Sequence, residues 1–242
     1  MGYSMKMTQG LAALVLLATA SAAHAEFPGT FTGTITATSD YNWRGITQTS
    51  QDPALQGSVD FAMENGFYVG AWASNVDFGD CCDEEAEVDI YTGFSGGETV
   101  TWDVGFIYYW YPGAEDLDFP EVYAAVGYEW FEAKLSYSSD FANYSEQAWY
   151  LEGNAAYELP ANFGLEAHIG YSTGDGIEAA YGQDDYFDWS VGVTYGFKNF
   201  GLGLKYVDGS DLDTLDGTPG DVSSSEGVVI FSVSTAFPWS TE

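Results

Sequence analysis

Carboxylates dominate the side chains able to do chemistry in this sequence. Asp60, Asp89, Asp103, Glu121, Glu129, Glu132, Glu152, Glu158, Glu166 and Asp188 fall on the polar side of segments that alternate with a two-residue period, and Lys134 and Lys205 are their counter-charges on that side. Carboxylates aimed at a common interior lower the energy of cations there and raise that of anions, as acidic rings do in cation channels. Asp60, Asp89, Asp103, Glu129, Glu152, Glu166, Asp188, Lys134 and Lys205 are therefore expected to line a pore. Arg44, the single arginine, sits just past the first such segment. It is expected either to fold inward as an electrostatic latch on interior carboxylates or to anchor a loop through backbone carbonyls.

Other chemistries find less support. Serine-type catalysis needs a base oriented by a third group. Beyond residue 25 the one histidine is His168, which has no nucleophile motif beside it. An outer-membrane hydrolase is thus the weakest of three function classes, and no catalytic residue is assigned. The acidic segments Asp80–Asp89 and Asp175–Asp188 contain many oxygen ligands but lack the ligand spacing of an EF-hand, so no metal site and no cofactor is expected. Cys81 and Cys82 are sequence neighbours, whose bridging departs from the usual geometry. A vicinal disulfide, a free pair and an intermolecular bridge all remain open.

The elements that must position these groups are strands. Val100, Trp102, Val104, Phe106, Tyr108 and Trp110 alternate with Thr101, Asp103, Gly105, Ile107 and Tyr109, and similar runs of about ten residues recur to the C-terminus, as expected of barrel strands. The run Phe67–Val76 is apolar on both sides and has no readable orientation. Short turns are expected at Asn65-Gly66, Gly96-Gly97, Trp130, Pro160-Ala161 and Lys198-Asn199, with long loops near 42–54, 77–86, 111–120, 140–147, 173–186 and 208–226. That alternation predicts an all-β, antiparallel, up-and-down transmembrane barrel of about 12 strands, with the long loops outside the cell. Aromatic residues near the strand ends, Phe94, Trp102, Trp130, Phe163, Phe197 and Phe200 at one rim and Trp110, Tyr137, Trp149, Tyr171, Phe187 and Tyr206 at the other, fit the two girdles of a membrane barrel. Carboxylates and small residues opposite them fit a wet lumen.

Export is written at the start. Lys6, the apolar run Leu11–Ala20 and Ala23-His24-Ala25 have the layout of a signal peptide with an A-x-A cleavage site, too short for a membrane-spanning helix. Residues 1–25 are therefore expected to be removed and 26–242 to form the barrel in the bacterial outer membrane. With 37 acids against 5 basic residues the chain has a formal charge of −32, which excludes nucleic acid as a partner and favours cations.

The stretch Ser39-Asp40-Tyr41-Asn42-Trp43-Arg44-Gly45-Ile46-Thr47-Gln48-Thr49, followed by Asp52-Pro53-Ala54-Leu55-Gln56-Gly57, resembles the start of the TorF porin family, formerly catalogued as a bacterial domain of unknown function. Glu87-Val88-Asp89-Ile90-Tyr91 and the closing strand Val228–Phe237 extend the resemblance over the chain. The resemblance implies an outer-membrane barrel with a pore role. The expected function is passive diffusion of ions or small solutes with a preference for cations. The alternative is a plugged, non-conducting structural or adhesin-type barrel acting through its acidic loops. Expected partners are outer-membrane lipid, lipopolysaccharide, the barrel-assembly machinery, and small cations or solutes.

Overall fold

The computed structural model describes residues 29–79, 85–210 and 226–239. The expected signal peptide and the Cys81-Cys82 pair lie outside them. The described strands are β1 (Gly29–Thr38), β2 (Asn42–Trp43), β3 (Ile46–Thr47), β4 (Ala54–Met63), β5 (Phe67–Asn75), β6 (Ala86–Gly96), β7 (Val100–Trp110), β8 (Phe119–Tyr128), β9 (Phe131–Ser138), β10 (Ala148–Leu159), β11 (Phe163–Thr173), β12 (Asp185–Phe197), β13 (Phe200–Gly209) and β14 (Val228–Phe237). All but β2 and β3 join one closed sheet of twelve strands, each antiparallel to its sequence neighbour in the sheet. Closure is made by β14 on β1, with Ala37 opposite Val233 and Thr34 opposite Ala236. A closed sheet has no free edge, so every backbone group in hydrocarbon finds a partner.

Alternation sets the two faces. Phe31, Val59, Leu151, Ile169, Val191 and Val229 stand outward and are each at least half exposed, on all sides of a closed sheet. Apolar surface of that extent belongs against lipid. The expected girdle residues all lie on this outer face. The five short turns and six long connections fall where the sequence places them. At the first turn, Gly66 takes a φ of 92° and Asn65 Oδ1 accepts the Phe67 N–H at 3.0 Å.

The unreadable run acquires an orientation. Tyr68, Trp72 and Ser74 of β5 are buried inside, while Val69 faces out. Trp72 turns inward because the interior holds a hydrophobic core that includes Tyr41, Ile46, Tyr109, Phe119, Tyr123, Phe141 and Ile177. One side of the lumen is therefore packed like a protein interior.

Candidate functional site

The packing comes from the first long loop. Its two short strands β2 and β3 form a hairpin whose central residues Arg44 and Gly45 have φ of 51° and 81°, the two left-handed positions of a type I′ turn. At Gly45 a Cβ would strike the Asp188 side chain, so that position tolerates only glycine. Asp40 fixes the base of the hairpin. Its Oδ1 accepts the Thr47 hydroxyl at 2.5 Å, and its carbonyl accepts the Thr38 hydroxyl at 2.9 Å. Thr49 Oγ1 accepts the Tyr41 N–H at 3.1 Å. Thr, Asp and Asn are suited to such local bonds because short polar side chains reach neighbouring backbone.

So built, the hairpin crosses the lumen. Tyr41 meets the ring of Trp72 at 5.2 Å and donates to Glu87 Oε1 at 3.1 Å. Trp43 meets Tyr109 at 5.7 Å and stacks on Phe141 at 6.2 Å. Arg44 Nη2 donates to Glu121 Oε2 at 2.6 Å, with its guanidinium 4.3 Å from the Trp43 and Tyr150 rings. Burial works to lower the Arg44 pKa, but the Glu121 charge prevails and holds it above the ordinary value. Arg44 thus folds inward onto an interior carboxylate of β8. The helix α1 (Asp175–Tyr181) closes over the same side, with Ile177 buried and Tyr181 against Phe141 at 6.1 Å.

The acids divide into groups beneath this cover. Glu87, Asp89, Glu121 and Asp188 are inward but nearly inaccessible. Asp103 accepts the Tyr68 hydroxyl at 2.6 Å, and Asp60 accepts the hydroxyls of Tyr91 and Ser58. Glu152 pairs with Lys134 at 3.6 Å and accepts Asn154 Nδ2 at 3.0 Å. His168 sits between Asn154 Oδ1 at 2.7 Å and Asp188 Oδ1 at 2.8 Å, with the Tyr150 hydroxyl 2.9 Å from its Nε2. Glu166 and Lys205 face in from β11 and β13. Glu129 is a correction: β8 ends at Tyr128, and Glu129 lies in the following turn, exposed, with a φ of 55°. The turn needs a left-handed residue there, which breaks the alternation one residue before the parity count assumes.

Sequence reasoning missed the inward tyrosines Tyr68, Tyr91 and Tyr150 as hydrogen-bond partners of the acids. They share the inward parity of the carboxylates, which was the available signal. It also missed the hairpin, although Tyr41 and Trp43 before Arg44-Gly45 alternate as hairpin strands do.

The other side of the lumen is not filled. A cavity of about 130 Å³ lies between the base of the hairpin and the wall formed by β11–β14, β1 and β4. Its walls include the hydroxylated Thr36, Thr38, Thr194, Ser232 and Ser234, and its charged groups are Asp40, Glu166 and Lys205. On β13 the inward residues before Lys205 are Gly201 and Gly203, which leave the adjacent Ser234 and Ser232 hydroxyls uncovered.

A closed twelve-stranded barrel with a lipid-facing exterior, charged interior and an inserted hairpin has the outer-membrane porin fold. The profile of Gcw_chp, a bacterial protein family of unknown function, matches residues 22–237, and the chain belongs to that family. Among solved structures, the fold is similar to the KdgM porin in complex with disordered oligogalacturonate, with a TM-score of 0.52 at 10% identity over 87% of this chain and 99% of that one. It is also similar to the NanC porin, with a TM-score of 0.56 at 8% identity over 85% of this chain and 99% of that one. No curated protein matches the sequence.

Proposed function

We propose that this protein is an outer-membrane channel for passive diffusion of ions and small solutes, with a preference for cations; the TorF porin resemblance implies the pore role alone. The observation that carries the proposal is the sign of the interior. Asp60, Glu87, Asp89, Asp103, Glu121, Glu152, Glu166 and Asp188 face inward against Arg44, Lys134 and Lys205. The potential inside a narrow barrel is set by such groups because few waters screen them. The KdgM porin was solved with an oligogalacturonate, a polyanion; the interior of this chain favours solutes of the opposite sign. Ions pass on the small-residue side, where the hairpin leaves space. His168 is engaged by Tyr150, Asn154 and Asp188, an arrangement that supports a structural role over catalysis.

Planar-bilayer recordings of the purified protein in a KCl gradient test the proposal. The expected result is single-channel current with a reversal potential shifted toward that of K⁺; absent current or anion preference overturns it. The hairpin and its hydrophobic core favour one second reading, a closed barrel acting through its loops. A reproducibly silent, correctly folded barrel is the result that would select it.

A further inference from the structure

The cavity beside the hairpin has an unusual charge complement. Asp40 is 3% exposed and lines the cavity, yet its Oδ2 has no hydrogen-bond partner among the described residues. Lys205 and Glu166 line the same space, and among the described residues neither forms an ion pair or a side-chain hydrogen bond. Elsewhere inside the barrel, Glu121 is paired with Arg44 and Glu152 with Lys134. Here the charges are near enough to act on one another but are not closed into pairs.

Strand register and the base of the hairpin set where these groups stand. Glu166 and Lys205 lie in register on either side of Gly192. Asp40 enters from the hairpin base, held by Thr47 through its other oxygen. The free Oδ2 and the Glu166 carboxylate can accept N–H donors, and the Lys205 ammonium can only donate. Polar groups left unmatched in a confined space cost free energy that a complementary ligand recovers.

We infer that this cavity is a binding site for a small zwitterion, with the ligand ammonium taken by Asp40 and Glu166 and its carboxylate by Lys205. Size agrees with the charge pattern. A cavity of about 150 Å³ accommodates a six-heavy-atom molecule such as benzene, and an amino acid as small as alanine has the same number of heavy atoms. The hydroxyls of Thr36, Thr38, Ser232 and Ser234 supply further adaptable partners. A simple cation would leave Lys205 unmatched, and a simple anion would face two carboxylates for one ammonium. The inference rests on the channel reading for its biological setting, but the binding itself does not require current.

The test is calorimetric titration of the detergent-purified full barrel with L-alanine, propylammonium and propionate as separate probes. Alanine is expected to bind more tightly than propylammonium, and propionate not at all. Lys205→Met should weaken alanine by roughly tenfold or more, the worth of one charge-assisted bond, while leaving propylammonium equal or tighter. Glu166→Gln should weaken both amines, and Lys205→Arg should retain alanine. If the Met variant does not assemble, Lys205→Gln makes the same test. Absence of alanine binding, or alanine binding indifferent to removal of the Lys205 charge, overturns the inference. Equal binding of alanine and propylammonium reduces the cavity to a plain cation site and also overturns it. A silent barrel that binds alanine would refute the channel and keep the site; a conducting barrel that ignores alanine would do the reverse.

Discussion

Two arcs of the same wall carry opposite side chains. From β5 to β10 the inward positions hold Tyr68, Trp72, Tyr91, Tyr109, Tyr123 and Tyr150 among the acids. From β11 through β14 to β1 and β4 they hold Gly192, Gly201, Gly203, Ser232, Ser234, Thr34 and Thr36. The hairpin packs mainly against the first arc, where most of the large rings meet it, with Tyr186 and Asp188 of β12 also on that packed side; toward β13, β14 and β1 it leaves a void. Strand number sets the bore of a barrel, but side-chain volume decides which part of that bore stays open. The same difference sorts the acids: Glu87, Asp89, Glu121 and Asp188 under the hairpin are sealed, whereas Glu166, on the cavity wall, is only partly buried.

The most severe way to break this asymmetry is to remove the hairpin. Replacing Tyr41–Thr49 with a Gly-Ser linker should raise single-channel conductance several-fold, as the β5–β10 arc loses its cover and its acids meet water. Unchanged conductance would show that the constriction lies elsewhere.

Next in size is Arg44→Ala. It leaves Glu121 buried without its partner, a change that typically costs about 3–5 kcal/mol. Current should become noisy and the 40–50 segment of the folded barrel should become cleavable by protease. The double change Arg44→Met with Glu121→Leu should largely restore protection, because an apolar pair carries no stranded charge. If the single and double variants behave alike, the ion pair is not what pins the hairpin.

A bulky residue separates the arcs more finely. Ser232→Trp should reduce conductance while the barrel still assembles, since it projects into the cavity. Ser74→Trp, at a position only 3% exposed on the packed arc, should impair assembly, because overpacking costs about 1–3 kcal/mol. Heat-modified migration on gels reads assembly, and bilayer recordings read conductance.

The smallest expected effect is on pH. Burial raises the Asp40 pKa above the usual 3.8, outweighing the hydrogen bonds from Thr47 and Thr49 and the Lys205 charge, which lower it. The folded chain thus keeps that proton to a higher pH than the unfolded chain, so this residue's contribution to stability is present in acid and lost as pH rises through the raised value. On acidification, cation preference should begin to fall above the ordinary aspartate range, and Asp40→Asn should remove that part of the titration. Reversal potentials measured between pH 7 and pH 4 on both proteins check it.

Much of this was legible in the sequence. Val100–Trp110 and Asp185–Phe197 announce their faces because lipid demands apolar residues at every second position. Gly66, Gly97 and Lys198 mark turns because few residues adopt left-handed backbone cheaply. Phe67–Asn75 was not legible, since an apolar residue facing a protein core and one facing lipid look the same in a list of residues. Arg44 and Glu121 are 77 positions apart, and no local pattern links them.

The sequence alone determined the barrel, its strand number, its two rims and the sign of its interior, because those follow from local periodicity, turn chemistry and composition. Only the tertiary structure decided that the hairpin enters the lumen, which acids it seals, and that Asp40, Glu166 and Lys205 share one cavity. Those outcomes depend on side-chain volumes and charges meeting across the bore, from strands that are distant in the chain and become neighbours only when the sheet closes.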